Sequence, residues 1–134
     1  MFRTLATLSV ACSLSLFAGC GGSDAEAQTK APANPAASAD TFAKAKGKVV
    51  YNKTCLQCHG EGGVGVEGLG KNWVESEFIA NSTDEELLAF IRAGRTIDDP
   101  MSAGISPMPP SGGDPTLSDE DLNNVIKYMR SLQE

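Results

Sequence analysis

Apolar side chains recur at helical spacing in three places along the chain, and nowhere do they alternate as in a half-buried strand. The first segment runs from about Asp40, a candidate N-cap, to Asn52, and places Phe42, Ala45, Val49 and Val50 on one face. Gly47 interrupts it at a cost of about 1 kcal/mol relative to alanine, so a second backbone is expected to approach there. The second opens on the capping-box pattern Thr83-Asp84-Glu85-Glu86, continues through Leu87, Leu88 and Ile91, and stops at Gly94, with Arg92 and Arg95 near the negative end of the dipole. The third has Ser118 as cap, Leu117 and Leu122 as a staple, and Asp119, Glu120 and Asp121 in its first turn. Leu122, Val125, Ile126, Met129 and Leu132 repeat along one side of it, and Tyr128 and Met129 read as core packing. The Gly- and Pro-rich stretches 60–72 and 96–116 separate these helices. Loops of that length in a compact domain call for a function or a scaffold beneath them.

The N-terminal part has a different texture. Met1-Phe2-Arg3 carries a positive charge, and an uncharged apolar run from Leu5 to Ala18 follows, the shape of an export signal. At about fifteen residues, diluted by Ser and Thr, the run is short for a membrane span, which needs about twenty. It ends in Leu16-Phe17-Ala18-Gly19-Cys20, which resembles the lipobox of bacterial lipoproteins, with Phe17 where leucine is usual. The resemblance implies a signal peptide over 1–19 and a lipidated Cys20. Ordinary cleavage after Ala25-Glu26-Ala27 is the alternative and would leave the protein unanchored; a retained transmembrane anchor is another. From 20 to 40 the chain is rich in Ala, Pro and Ser without periodicity and reads as a flexible linker with a root-mean-square reach of about 25 Å. Residues 41–134 are then the folded domain.

Length and composition narrow the function. The 134 residues suffice for one core. A formal net charge of −6 argues against a nucleic-acid binder that relies on phosphate contacts, and favours a basic surface on any charged partner. A single histidine, His59, beside four cysteines excludes a zinc site built on several imidazoles. Five Phe, two Tyr and one Trp make a thin core.

Cys55-Leu56-Gln57-Cys58-His59 is the c-type haem attachment motif. Two thiols three positions apart can add to two vinyl groups on adjacent pyrrole rings, and the histidine that follows is placed to coordinate iron. Once Cys12 leaves with the signal and Cys20 is lipidated, Cys55 and Cys58 are the cysteines left to explain. A structural disulfide between them would leave His59 unexplained, a thioredoxin-like pair expects a βαβ context, and zinc would have to recruit carboxylates. Gly63-Val64-Gly65-Val66-Glu67-Gly68 satisfies a dinucleotide-binding pattern, and Gly65 to Lys71 nearly a P-loop, but no strand precedes either and Asn72 stands where Ser or Thr is needed. Glycines running close beside a flat macrocycle account for them better.

With Gly47 and Tyr51 before the motif, Gly60 after it, Met108-Pro109-Pro110, Gly112-Gly113, and Leu117-Ser118 with Tyr128 in the last helix, residues 41–134 resemble a class I monohaem cytochrome c of the bacterial periplasmic type. The resemblance implies an all-α cytochrome c fold, with three main helices and long loops wrapped around one covalent haem c. Electron transfer between redox partner proteins follows as the implied function, without enzymatic turnover, and the partners are a donor, an acceptor and, through Cys20, a membrane. It also implies that Gly47 meets Tyr128, and that partners dock over Gly60 to Gly65 and Pro109 to Gly113. With His59 as the one histidine, a second imidazole from this chain is excluded at the sixth iron position, and a thioether is next. Met108, stiffened by Pro107 and Pro109 and matching the family's methionine, is preferred to Met101. A Glu67 carbonyl is the expected acceptor for the other ring proton of His59. Leu69 is expected against the haem, and Trp73 and Arg95 either reach its propionates or serve as core and helix-end charge. Two rival functions stay open: a haem-based gas sensor or minor peroxidase with an open sixth position, and a non-redox module using the cysteines structurally.

Overall fold

Alanine is the strongest helix former and proline is tolerated in a first helical turn, so Pro35-Ala36-Ala37-Ser38-Ala39 is helical despite having no apolar face. In a computed structural model, which describes residues 35–103 and 105–134, helix α1 spans Pro35–Thr54. It therefore begins five residues before the expected cap. Asp40 lies inside the helix and pairs with Lys44 at 3.1 Å. The export signal, Cys20 and the stretch up to residue 34 lie outside the described residues.

Short helices α2 (Leu56–His59) and α3 (Glu77–Asn81) and the longer α4 (Asp84–Ala93) and α5 (Asp119–Ser131) follow, with 3-10 turns at Glu61–Gly63 and Pro110–Gly113. Among the described residues the only extended pairings are isolated bridges, Val66 with Gly70 and Arg95 with Met108, so the fold is all-α. Both expected caps form as reciprocal capping boxes. Thr83 and Glu86 close the start of α4, and Ser118 and Asp121 close α5, each side chain satisfying the other's backbone N–H. Helix α3 carried no periodic signal in its five residues; Ser76 starts it by accepting from the Ile79 N–H at 3.4 Å.

The buried face of α1 is not the one the apolar pattern marks. Phe42 and Val49 are 63% and 68% exposed, whereas Gly47 and Tyr51 are buried. The reason is the packing of α1 on α5. A Cβ placed on Gly47 would lie 1.9 Å from the Asn124 carbonyl oxygen and 2.9 Å from the Val125 nitrogen. The atoms nearest the glycine are thus backbone atoms of α5 at Asn124 and Val125. Tyr51, one turn on, is the residue that meets Tyr128, at 5.3 Å between ring centroids, and it also packs on Trp73 at 4.9 Å.

Long polar side chains fasten the remaining elements. Arg130 of α5 reaches the Ile79 and Ser82 carbonyls at 2.8 and 2.6 Å and Asp84 at 2.8 Å, filling acceptors at the end of α3 and the start of α4. Gln133 donates to the Trp73 and Ser76 carbonyls at 3.0 and 3.1 Å. Arg92 of α4 clasps Asp119 at 2.6 Å and the buried Ser111 hydroxyl at 3.0 Å.

Two predictions follow from this packing. Gly47→Ala should force α1 and α5 apart and cost about 3 kcal/mol, read as a lower urea midpoint of the haem-loaded protein; an unchanged midpoint would contradict the close crossing. The Tyr51 hydroxyl donates to the Gly60 carbonyl, and burial pushes its ionisation from 10 up to about 12, partly offset by the Gly63 N–H. A raised folded-state value means its stabilisation is complete below pH 10 and is lost as pH rises from 10 through about 12. Tyr51→Phe should cost about 1 kcal/mol at neutral pH and abolish that alkaline decline; parallel alkaline declines in both proteins would refute the assignment.

Candidate functional site

The C-terminal end of α1 delivers Cys55, and α2 turns Cys58 and His59 back toward the same space. Backbone N–H groups of Cys58 and His59 both donate to the Cys55 carbonyl, at 3.2 and 3.0 Å, which fixes the three side chains as one unit. No disulfide joins Cys55 to Cys58. Burial, and secondarily Cys58, pushes the Cys55 thiol up to about 11, so it stays protonated. Burial thus disfavours at Cys55 the thiolate that a redox-active thiol needs at neutral pH. Among the described residues no group of three or more His, Cys, Asp or Glu side chains is placed to hold a metal ion.

His59 is oriented by a carbonyl, but not the expected one. Its Nδ1–H donates to the Lys71 carbonyl at 3.1 Å, not to Glu67. The Val66–Gly70 bridge folds the intervening residues into a tight turn that carries 67 away and brings 70 and 71 beside the ring. Gly70 is what permits this approach, because a Cβ there would lie 2.3 Å from the Cys58 carbonyl oxygen and 3.2 Å from His59 Nδ1. With Nδ1 protonated, Nε2 keeps its lone pair. Burial lowers the imidazole's proton affinity, which the Lys71 bond only partly restores, and this favours the neutral ring. The Trp73 indole backs it at 4.4 Å between ring centroids. Trp73 itself is buried in the core and also lines the cavity beside the ring.

These residues open on a cavity of about 550 Å³ whose wall is mostly apolar, with contributions from Leu69, Phe78, Phe90, Leu87, Val125 and Met129. Met108 and Met101 both line it. They are held differently. Met108 is half-buried against the core, and its N–H and carbonyl both pair with the backbone of Arg95, at 2.9 and 2.8 Å. It also passes directly over Gly94, φ +70, where a Cβ would stand 2.4 Å from the Met108 carbonyl oxygen. Met101 is 47% exposed.

Arg95 joins the two methionine segments. Its guanidinium lies 4.6 Å over the Phe90 ring and donates from Nη1 to the Met101 carbonyl at 2.8 Å. Asp99 is 3.4 Å from Nε, yet Nε makes no hydrogen bond although it is buried at the cavity wall. That combination leaves a cationic N–H beside an apolar space, which suits a large apolar group with an anionic edge. The spacing of the thiols, the neutral imidazole, the apolar wall and this charge all fit haem. Glycines 60, 63 and 65 serve chiefly to pack the loop on itself and on Trp73, a role different from lining a macrocycle.

Comparison with known proteins agrees with the site. Residues 42–129 match the family described as cytochrome C oxidase, cbb3-type, subunit III. The chain is 30% identical over 97 residues to the cbb3-type cytochrome c oxidase subunit FixP of Bradyrhizobium diazoefficiens, which covers 68% of this chain and 31% of that protein. It is 33% identical over 99 residues to cytochrome c oxidase subunit 2 of Alkalihalophilus pseudofirmus, covering 70% and 27%. Cytochrome c-555 of Chlorobaculum thiosulfatiphilum is 28% identical over 85 residues, 63% of this chain and 91% of its own length. The match thus spans about a third of the oxidase subunits but nearly all of the small cytochrome. No solved structure matches at the same significance. The chain therefore belongs to the cytochrome c oxidase, cbb3-type, subunit III family, as a class I c-type cytochrome domain with one covalently bound haem c.

Proposed function

We propose that this protein is a single-electron carrier with no turnover chemistry of its own, tethered through a lipid on Cys20 to the periplasmic side of a bacterial membrane. The observation that carries it is the convergence of Cys55, Cys58, His59 and Met108 on one apolar cavity. Haem c supplies an iron that alternates between two oxidation states. The chain's own residues do the rest. Cys55 and Cys58 provide the two thioether attachments, His59 presents Nε2 while the Lys71 carbonyl occupies Nδ1, and Met108 offers a thioether from a backbone pinned on both sides by Arg95. A soft sulfur ligand on a rigid segment favours a fixed coordination sphere, which lowers reorganisation on electron transfer and resists exogenous ligands.

Several relatives are named as oxidase subunits. We take this chain's donor and acceptor to be haem proteins of respiratory type, with a basic patch favoured on the partner by the acidic balance here. Processing to residue 20 and a signal peptide over 1–19 belong to the same proposal. Among the described residues no helix is long and apolar enough to cross a membrane.

The axial assignment is tested by spectra. Met108→Ala should abolish the long-wavelength charge-transfer band of thioether-ligated ferric haem and allow carbon monoxide to bind the ferrous protein tightly; Met101→Ala should leave both unchanged. The opposite pattern would transfer the ligand to Met101, and tight carbon monoxide binding by the unmutated protein would favour the sensor reading. Arg95→Gln should keep the band but raise the rate of methionine displacement by imidazole about tenfold, a loss of roughly 1.4 kcal/mol of loop anchoring.

Attachment has its own readout. Haem staining after denaturing electrophoresis should disappear in Cys55→Ala/Cys58→Ala. By the per-volume cost of engineered cavities, about 24 cal/mol per Å³, a space of 550 Å³ corresponds to at most about 13 kcal/mol, comparable with a whole domain's stability. The haem-free double variant should therefore lack a cooperative unfolding transition, and a sharp one would show that the polypeptide is self-sufficient.

A further inference from the structure

The face of α1 turned away from α5 has the composition of a surface made for anionic lipid. Phe42, Ala45 and Val49 follow one another at helical spacing on the exposed side, and the two large ones are mostly solvent-exposed. Exposed lysines flank them: Lys46 and Lys53 on one side and Lys48 on the other. Lys46 lies 4.9 Å over the Phe42 ring and 3.5 Å from Glu120, and Lys48 forms no ion pair among the described residues. Lys53 stands near enough to Asp114 to help hold that carboxyl below its usual range.

Charge is strongly divided in this chain. Helix α1 carries four lysines against Asp40 alone, while fourteen carboxylates face five lysines and arginines from residue 60 to 134. An apolar stripe edged by lysines matches the interfacial helix pattern, in which the apolar residues enter the headgroup region and the lysine stems extend to the phosphates. Each lysine near an anionic surface contributes about fivefold in affinity. The acidic remainder is repelled by the same surface, so the attraction also orients the domain. An acidic protein partner would also complement the lysines, but the expected lipid on Cys20 places a bilayer within reach of this face, which favours the bilayer.

From these observations we infer that the outer face of α1 docks on an anionic bilayer and orients the domain there. The inference deepens the tethered-carrier reading. Fourteen residues separate Cys20 from Pro35, a span of at most about 50 Å, so a lipid on Cys20 would keep α1 within reach of the surface. The orientation would leave the acidic part of the domain available to redox partners.

The test uses the haem-loaded, processed protein on vesicles of phosphatidylcholine, with or without phosphatidylglycerol, and follows lysine acylation by peptide mass spectrometry. Lys46, Lys48 and Lys53 should label about five- to tenfold more slowly on the phosphatidylglycerol vesicles at low salt, with Lys127 of α5 unchanged as reference, and the protection should vanish at high salt. Phe42→Ser/Val49→Ser and Lys48→Glu/Lys53→Glu should each remove the protection without altering the haem spectrum, since these side chains are exposed. Equal labelling on both vesicle types overturns the inference. So does protection that appears without lipid and grows with protein concentration, which would mark a contact between copies or with another protein. Intact mass reports the anchor separately: a lipidated protein without α1 protection sinks the docking face alone, and an unlipidated protein that still floats with phosphatidylglycerol vesicles sinks the tether alone.

Discussion

The backbone-to-backbone contact between Gly47 and Asn124 sets the geometry on which the rest of the domain depends. It brings α1 and α5 close enough for Tyr51 to pack between Trp73 and Tyr128, and Trp73 in turn backs the imidazole of His59. One missing side chain thus connects to the His59 ring through two aromatic contacts. The Tyr51 hydroxyl extends the same chain to the Gly60 carbonyl, directly after the attachment motif. A helix pair held at ordinary distance would leave Tyr51 without both ring partners and His59 without its wall.

Around that crossing, the site is held by main-chain groups more than by side chains. The Lys71 carbonyl orients His59, and Arg95 clamps Met108 through two backbone bonds. Main-chain anchors have little rotamer freedom, so these two residues are held with small entropic cost. Arg92 adds rigidity from outside by joining α4, the Pro110–Gly113 turn and the start of α5. The thin core has the same explanation: aromatic and aliphatic side chains form a shell, and the cofactor occupies the volume that a larger protein would fill with its own residues.

The net charge of −6 is an average over unlike parts. The basic residues of α1 and the carboxylates of the later elements occupy separate stretches of chain, and they meet where Lys44 and Lys46 pair with Glu134 and Glu120. A reading of charge by element gives α1 a role that its weak core-facing pattern would not suggest.

Much of this was legible in the residues. The capping box at Thr83, the cap at Ser118, the three main helices and the attachment motif depend on spacings of three or four positions, and local chemistry is enough to read them. The buried face of α1 was not legible, because a glycine contributes nothing to a hydrophobic pattern and Phe42 and Val49 point it the wrong way. Neither was the His59 acceptor: a carbonyl exists at every position, and only the Val66–Gly70 turn selects Lys71. By itself the sequence determined the haem attachment motif and the positions of the three main helices to within a few residues, since side-chain type and local spacing decide both. Tertiary structure alone decided which backbone groups serve that chemistry and which helix face is buried, since both depend on how closely distant segments can approach.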